Sequence, residues 1–318
     1  TLDASNAGVI LDGSQAGEGF VALAIGSSNN VVMGLRIINF GGAGIYLEGS
    51  NNQVGGDRAL GAGSLGQGNL IGNNGSGIEL PASAGNNVIT GNYIGIDEFG
   101  QAMGNQDGGI RIIPSGSAYV IRNIIGPDNT IAHNGGSGGI CIETIELPTY
   151  ITSNVIFGNE GPGIYYAVDE SDRTTYATPP VILEYDREAG TVKGTACPDC
   201  SVEIFSTDTS DGQYFEGTLT ADADGHFLFE KGEALTGAFP TATQRDGKYT
   251  SEFSQVPVTT DIQLAWDAIQ AREPDYQRGF GEWVFEDDEE VARSSGARLE
   301  DGQLVITSTG DHVAVSLD

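Results

Sequence analysis

Basic residues are scarce in this 318-residue chain. Lysine and arginine number 14 against 44 aspartates and glutamates, for a formal net charge of −30. A polyanion of this kind is repelled by nucleic-acid phosphate, which argues against a nucleic-acid partner. The balance fits a soluble extracellular or cell-surface protein, living in salt or using Ca²⁺. No run of about 18 apolar residues is present, so no transmembrane helix is expected. No secretory leader and no initiator Met opens the chain, and repeat-like sequence is under way by Val9–Ser14. The expectation is an exported protein of which this chain is a processed or excised piece. Helical periodicity is missing from the first 168 residues.

Glycine, by contrast, occurs 48 times, about twice ordinary usage. The collagen triplet is absent, so the excess serves tight turns. A short phrase recurs as Gly44-Ile45-Tyr46-Leu47, Gly77-Ile78-Glu79-Leu80, Gly109-Ile110-Arg111-Ile112, Gly139-Ile140-Cys141-Ile142 and Gly163-Ile164-Tyr165-Tyr166. The successive starts lie 33, 32, 30 and 24 residues apart. The shortest gap gives the base coil, and the longer ones carry loops, among them the Gly-rich stretch Asp57–Gly68. Asn-led apolar phrases lie between, such as Asn69-Leu70-Ile71 and Asn129-Thr130-Ile131. Asn tolerates the left-handed turn conformation, and its amide is placed to bond the Asn of the next coil. Strands this short cannot bury a face alone; stacked coil on coil, they form parallel sheets around one core. The stretch 29–166 resembles the right-handed parallel β-helix repeats of secreted bacterial proteins, the pectate-lyase-like superfamily. The phrases Asn86–Asp97 and Gly34–Leu47 carry most of that resemblance.

The fold class expected is therefore all-β, with the parallel β-helix over 1–168 and a polar linker over 169–180. Seven short strands follow within 181–260: Val181–Tyr185, Thr191–Ala196, Ser201–Phe205, Tyr214–Thr220, His226–Phe229, Ala238–Thr243 and Glu252–Val258. Asp-Gly turns at 211–212, 224–225 and 246–247 divide them, a β-sandwich spacing. Ala221–Gly225 and the ending around Thr241–Thr243 and Thr250–Ser254 resemble bacterial immunoglobulin-like modules. Within 261–318, Asp261–Arg272 reads as a short helix. The rest reads as a β-rich tail (Trp283–Phe285, Gln303–Ile306, Val313–Val315), weakly similar to the opening of a lectin-like jelly roll.

Within Gly-Ile-x-apolar the third residue points outward. Tyr46, Glu79, Arg111, Cys141 and Tyr165 thus form one column if the coils stack in register. Aromatic faces with a carboxylate and a guanidinium between them suit a polysaccharide or cell-surface glycan; the plainer alternative is a solvated face with a Glu79–Arg111 ion pair. The resemblance also implies Ca²⁺-assisted lyases, which take a proton with a basic residue, and glycoside hydrolases. Candidate bases are Arg36, Arg111, Arg122 and His133, and candidate Ca²⁺ ligands are Asp97, Glu98, Asp107 and Asp128. The hydrolase motifs of this architecture are missing, and His133 sits where other coils carry turn residues. Asp222-x-Asp224-Gly225 reads as a hairpin turn more readily than as a Ca²⁺ loop, and the acidic run Glu286–Glu290 as a solvated face. Cys197 and Cys200 lie between two strands, which favours a local disulfide. The reading adopted is a non-catalytic rod that binds glycan, with a lyase or hydrolase, or self-association through the open ends of the coils, as alternatives.

Overall fold

A computed structural model describes residues 1–115, 122–144, 148–169 and 178–255, and the strands Ala297–Glu300 and Gln303–Ile306. Among these residues every regular element is a strand. The expected helix at 261–272, the acidic run 286–290, most of the linker and the remaining tail strands fall outside them. Ala297–Glu300 and Gln303–Ile306 form an antiparallel pair within residues 258–318, a compact unit separate from 1–257.

The first 166 residues make three parallel sheets of six strands, each pairing with the strand three places on in sequence. The first sheet comprises Leu2–Asp3, Val31–Met33, Gln53–Gly55, Val88–Thr90, Asn123–Ile125 and Thr149–Ile151. The second comprises Val9–Asp12, Leu35–Ile38, Leu70–Gly72, Tyr93–Ile94, Thr130–Ala132 and Val155–Phe157. The third comprises Leu23–Ile25, Ile45–Leu47, Ser76–Pro81, Gly108–Ile113, Ile140–Ile142 and Ile164–Tyr166. These are stacked repeats of six coils with three strands each, consistent with a β-helix. Alternation along each strand sends one apolar set inward, so that Val54, Ile71, Ile78, Ile89, Ile110 and Ile131 meet in a single core.

Two features of the sequence hold the coils in register. The glycine of each of the first four Gly-Ile phrases lies against the next coil, and a Cβ at Gly77 would sit 2.3 Å from the Gly109 carbonyl oxygen. Asparagines form buried ladders at the corners. In one, the Asn69 N–H donates to Asn92 Oδ1 (3.1 Å) and the Asn92 N–H to Asn129 Oδ1 (2.9 Å). Parallel runs link Asn30, Asn52, Asn87 and Asn123, and Asn74, Asn105, Asn134 and Asn159. The residue before a ladder asparagine often takes positive φ, as Asn51, Asn73, Asn86, Asp128 and His133 do.

The 57–68 insertion lies over the second sheet. Arg58 donates to the Asp128 carbonyl (2.7 Å) and stacks on the Tyr93 ring at 4.5 Å. Leu70, which faces outward, is fully buried. The insertion thus roofs the middle of the second sheet.

Past the linker, Val181–Asp186, Thr191–Thr195 and His226–Glu230 form one antiparallel sheet, and Tyr214–Thr220, Ser201–Thr207 and Phe239–Arg245 form another. Val192, Val202, Ile204, Phe227 and Phe229 share a second core. Of the expected seventh strand, residues 256–258 lie outside the described residues and 252–255 form no strand. There the chain follows Phe239–Arg245 irregularly, because Ser251 and Ser254 use their hydroxyl oxygens as well as their N–H groups. Their Oγ atoms accept from the Gln244 and Ala242 N–H groups, and their own N–H groups donate back to the same residues' carbonyls.

Candidate functional site

The third sheet carries the outward column. Ala24 pairs with Tyr46, Tyr46 with Glu79, Glu79 with Arg111, Arg111 with Cys141 and Cys141 with Tyr165. Tyr46 and Tyr165 stand four coils apart, about 19 Å at the inter-strand spacing. Both are half-buried, as are Glu79 and Arg111.

Arg111 is held from two sides. Its Nη1 donates to Glu79 Oε1 at 3.3 Å, and its Nε and Nη2 donate to Glu143 Oε1 at 3.1 and 2.6 Å. Burial disfavours the charged guanidinium, but the Glu143 hydrogen bond and the two carboxylate charges outweigh it and hold the pKa above the ordinary value. A group so held keeps its proton, which is opposite to what a base in proton abstraction needs. Glu143 is absent from the candidates above. Alternation finds it: two residues beyond Cys141 it returns to the same face, one coil from Arg111. Cys141 is 2% exposed, and burial first, then Glu143, pushes its thiol up to about 11. It lies in the column as a buried, inert thiol.

These ion pairs are only moderately shielded, with side chains 20–26% exposed. Arg111→Ala is therefore expected to cost only about 1 kcal/mol, read as a lower urea midpoint. The loss should shrink at high salt, where the unpaired Glu79 and Glu143 repel less.

The other candidates have partners of their own within the fold. Arg36 is paired with Glu98 and reaches Ser64 Oγ at 3.1 Å. Arg122 stacks on the Tyr150 ring at 3.9 Å, with Arg245 at 4.7 Å from the same ring. His133 is a left-handed turn residue at φ 60°, edge-on to Phe157. The Ca²⁺ set is not brought together. Asp97 Oδ1 caps its own turn by accepting from the Phe99 and Gln101 N–H groups at 2.9 and 2.8 Å, and Glu98 is taken by Arg36. Asp107 sits at another corner, bonded through its backbone to Gly75 and Ser137. Among the described residues no group of three or more His, Cys, Asp or Glu is placed to hold a metal ion. Asp222 Oδ1 accepts from the Asp224 and His226 N–H groups at 3.0 and 2.8 Å, as a hairpin turn requires. Cys197 and Cys200 are joined in a disulfide with Cα atoms 5.4 Å apart.

The sequence matches no protein-family model, and a search of curated proteins returns no match.

Proposed function

We propose that this chain is an extracellular or cell-surface rod, without catalytic activity, that binds polysaccharide along the exterior of its third sheet. In this reading the coils are a right-handed parallel β-helix and the antiparallel sheets an immunoglobulin-like sandwich. The observation that carries the proposal is the register of one column: two half-buried tyrosines bracket a Glu79–Arg111–Glu143 cluster on one sheet. Tyrosine rings supply apolar faces for sugar rings, and the cluster supplies oriented donors and acceptors for hydroxyls. Arg111 is already neutralised by two carboxylates, which favours neutral sugars over uronates.

The test is retention on immobilised neutral and acidic polysaccharides, with and without Ca²⁺, alongside product assays. The expected result is Ca²⁺-independent retention without unsaturated-uronate absorbance or new reducing ends. Product formation would establish an enzyme instead, and no retention on any polymer would remove the glycan reading.

A further inference from the structure

A stack of parallel strands ends in three rows of unpaired N–H and C=O groups, a template for any other strand. At the far end of this stack, groups on all three rows are taken by partners from residues 201–255.

The partners repeat what the next coil supplies elsewhere. Along one corner, the Gly109 N–H donates to the Gly138 carbonyl (2.9 Å) and the Gly139 N–H to the Pro162 carbonyl (3.0 Å). The next member, the Gly163 N–H, donates to Asp211 Oδ1 at 2.8 Å. The steric signature carries over too. A Cβ at Gly139 would lie 2.5 Å from the Gly163 oxygen, and one at Gly163 would lie 2.7 Å from Asp211 Oδ1. At a second corner, the Gly91 N–H donates to the Pro127 carbonyl and the Asp128 N–H to the Ser153 carbonyl. The Ser153 N–H donates to Glu203 Oε2 at 2.8 Å, and Thr152 Oγ1 donates to Glu203 Oε1.

The three sheet edges are met as well. The Ile151 N–H donates to Thr250 Oγ1 (2.9 Å), which donates back to the Ile151 carbonyl (3.0 Å). Ile156 and Gly212 exchange both backbone bonds at 2.9 Å. The Tyr166 N–H donates to Glu252 Oε1 at 3.0 Å, and its phenol closes the core end by donating to the Thr250 carbonyl at 2.7 Å.

We propose that the antiparallel module acts as a terminator of the stack, a surrogate seventh coil in which the carboxylate oxygens of Glu203, Asp211 and Glu252 take the places of backbone carbonyls. Its function is to deny the last coil to a second copy of the chain. This assignment is independent of glycan binding, since none of these groups belongs to the outward column.

The test uses two variants of the whole chain. One carries Glu203→Ala, Asp211→Ala, Thr250→Val and Glu252→Ala, which removes the surrogate acceptors. The other carries Glu203→Gln, Asp211→Asn and Glu252→Gln, which keeps an amide oxygen at each place. Hydrogen exchange at Ile151, Ser153, Gly163 and Tyr166 is read beside light scattering at several concentrations. The first variant should lose at least about tenfold in protection at those amides, with the inner coils unchanged. It should also associate more strongly with concentration than the unmodified chain. The amide variant should match the unmodified chain in both readouts. Three results would overturn the proposal: retained protection in the first variant, lost protection without added association, or equal loss in the amide variant. Loss of protection throughout all six coils in the first variant would also overturn it, because the module would then be part of the fold's core and not an end cap.

Discussion

Asn92→Ala should unfold this chain far more readily than any surface substitution, with a loss of about 3–5 kcal/mol, counting roughly 1–3 for each buried polar group left unsatisfied. Asn92 is fully buried, and five hydrogen bonds run through its side chain. Its Oδ1 accepts from the backbone and side-chain nitrogens of Asn69, and its Nδ2 donates to the Val54 and Thr90 carbonyls and to Asn129 Oδ1. Alanine orphans the Asn69 N–H and one hydrogen of its amide and takes a donor from the Val54 and Thr90 carbonyls, while Asn129 Oδ1 keeps only the backbone N–H of residue 92. Asn92→Asp keeps the shape and is expected to be at least as damaging at neutral pH. It sets a carboxylate against the Val54 oxygen and Asn129 Oδ1, a buried charge without a counterion. Chemical denaturation checks both: a midpoint close to that of the unmodified chain for either variant would show that the ladders are ornamental.

The second large effect concerns Glu203, 7% exposed where the module meets the last coil. Glu203→Ala strands the Ser153 N–H and the Thr152 hydroxyl and is expected to cost about 2–4 kcal/mol of local stability where the module meets the last coil, again counted per orphaned group. Glu203→Gln keeps an oxygen for Ser153 and gives Thr152 Oγ1 a donor, so it should be nearly neutral or stabilising. The pH dependence separates these cases. Burial pushes the Glu203 carboxyl up against its hydrogen bonds from Ser153 and Thr152, and Arg245 is the charged group that pulls it back. Burial likewise raises Asp211 against its bonds from Gly163 and Ser210. A carboxyl whose folded pKa is raised binds its proton more tightly in the folded state. Its contribution is full below the unfolded value and is lost as pH rises through the folded one. Stability from these two groups should therefore grow as pH falls from 7 toward the ordinary carboxylate range. Glu216 runs the other way. Burial raises it, but Lys231 at 2.7 Å, Ser206 and Thr236 prevail and lower it, so its contribution fades in acid. The difference between chains isolates the effect: Glu203→Gln with Asp211→Asn should gain less than the unmodified chain between pH 7 and 5. Equal gains would show that neither carboxylate senses its burial.

Much of the stack was legible because its determinants are periodic. The Gly-Ile-x-apolar phrase marks the coil corner, where the next carbonyl leaves no room for a Cβ, and its third position marks the outward column. Asparagine before an apolar phrase marks the ladders through Asn87 and Asn129, but the ladder of Asn74, Asn105, Asn134 and Asn159 is followed by Gly, Gln or Glu and carries no such mark. What escaped has no period. Arg58 crosses the second sheet to reach Asp128, and Thr250 meets Ile151 across 99 residues of sequence. Carboxylates near one another in sequence suggested a cation site, yet Asp97 binds its own turn and Glu98 binds Arg36. Residues 252–255, the described part of the expected seventh strand, form no strand because serine hydroxyls took over half of a ladder that alternation alone assigns to the backbone. Glu143 lay within reach of the column argument once alternation was carried two residues past Cys141.

The central claim is that the third sheet's column is the binding face, and oligosaccharide titration of matched variants tests it most directly. The column pair Tyr46→Ala and Tyr165→Ala is set against Gln53→Ala on the first sheet and Tyr93→Ala on the roofed second sheet. Loss of each column tyrosine is expected to weaken binding about tenfold, the equivalent of ~1.4 kcal/mol, while Gln53→Ala and Tyr93→Ala leave it unchanged. Equal affinity across all four variants, or a loss confined to Gln53→Ala or Tyr93→Ala, would contradict the account.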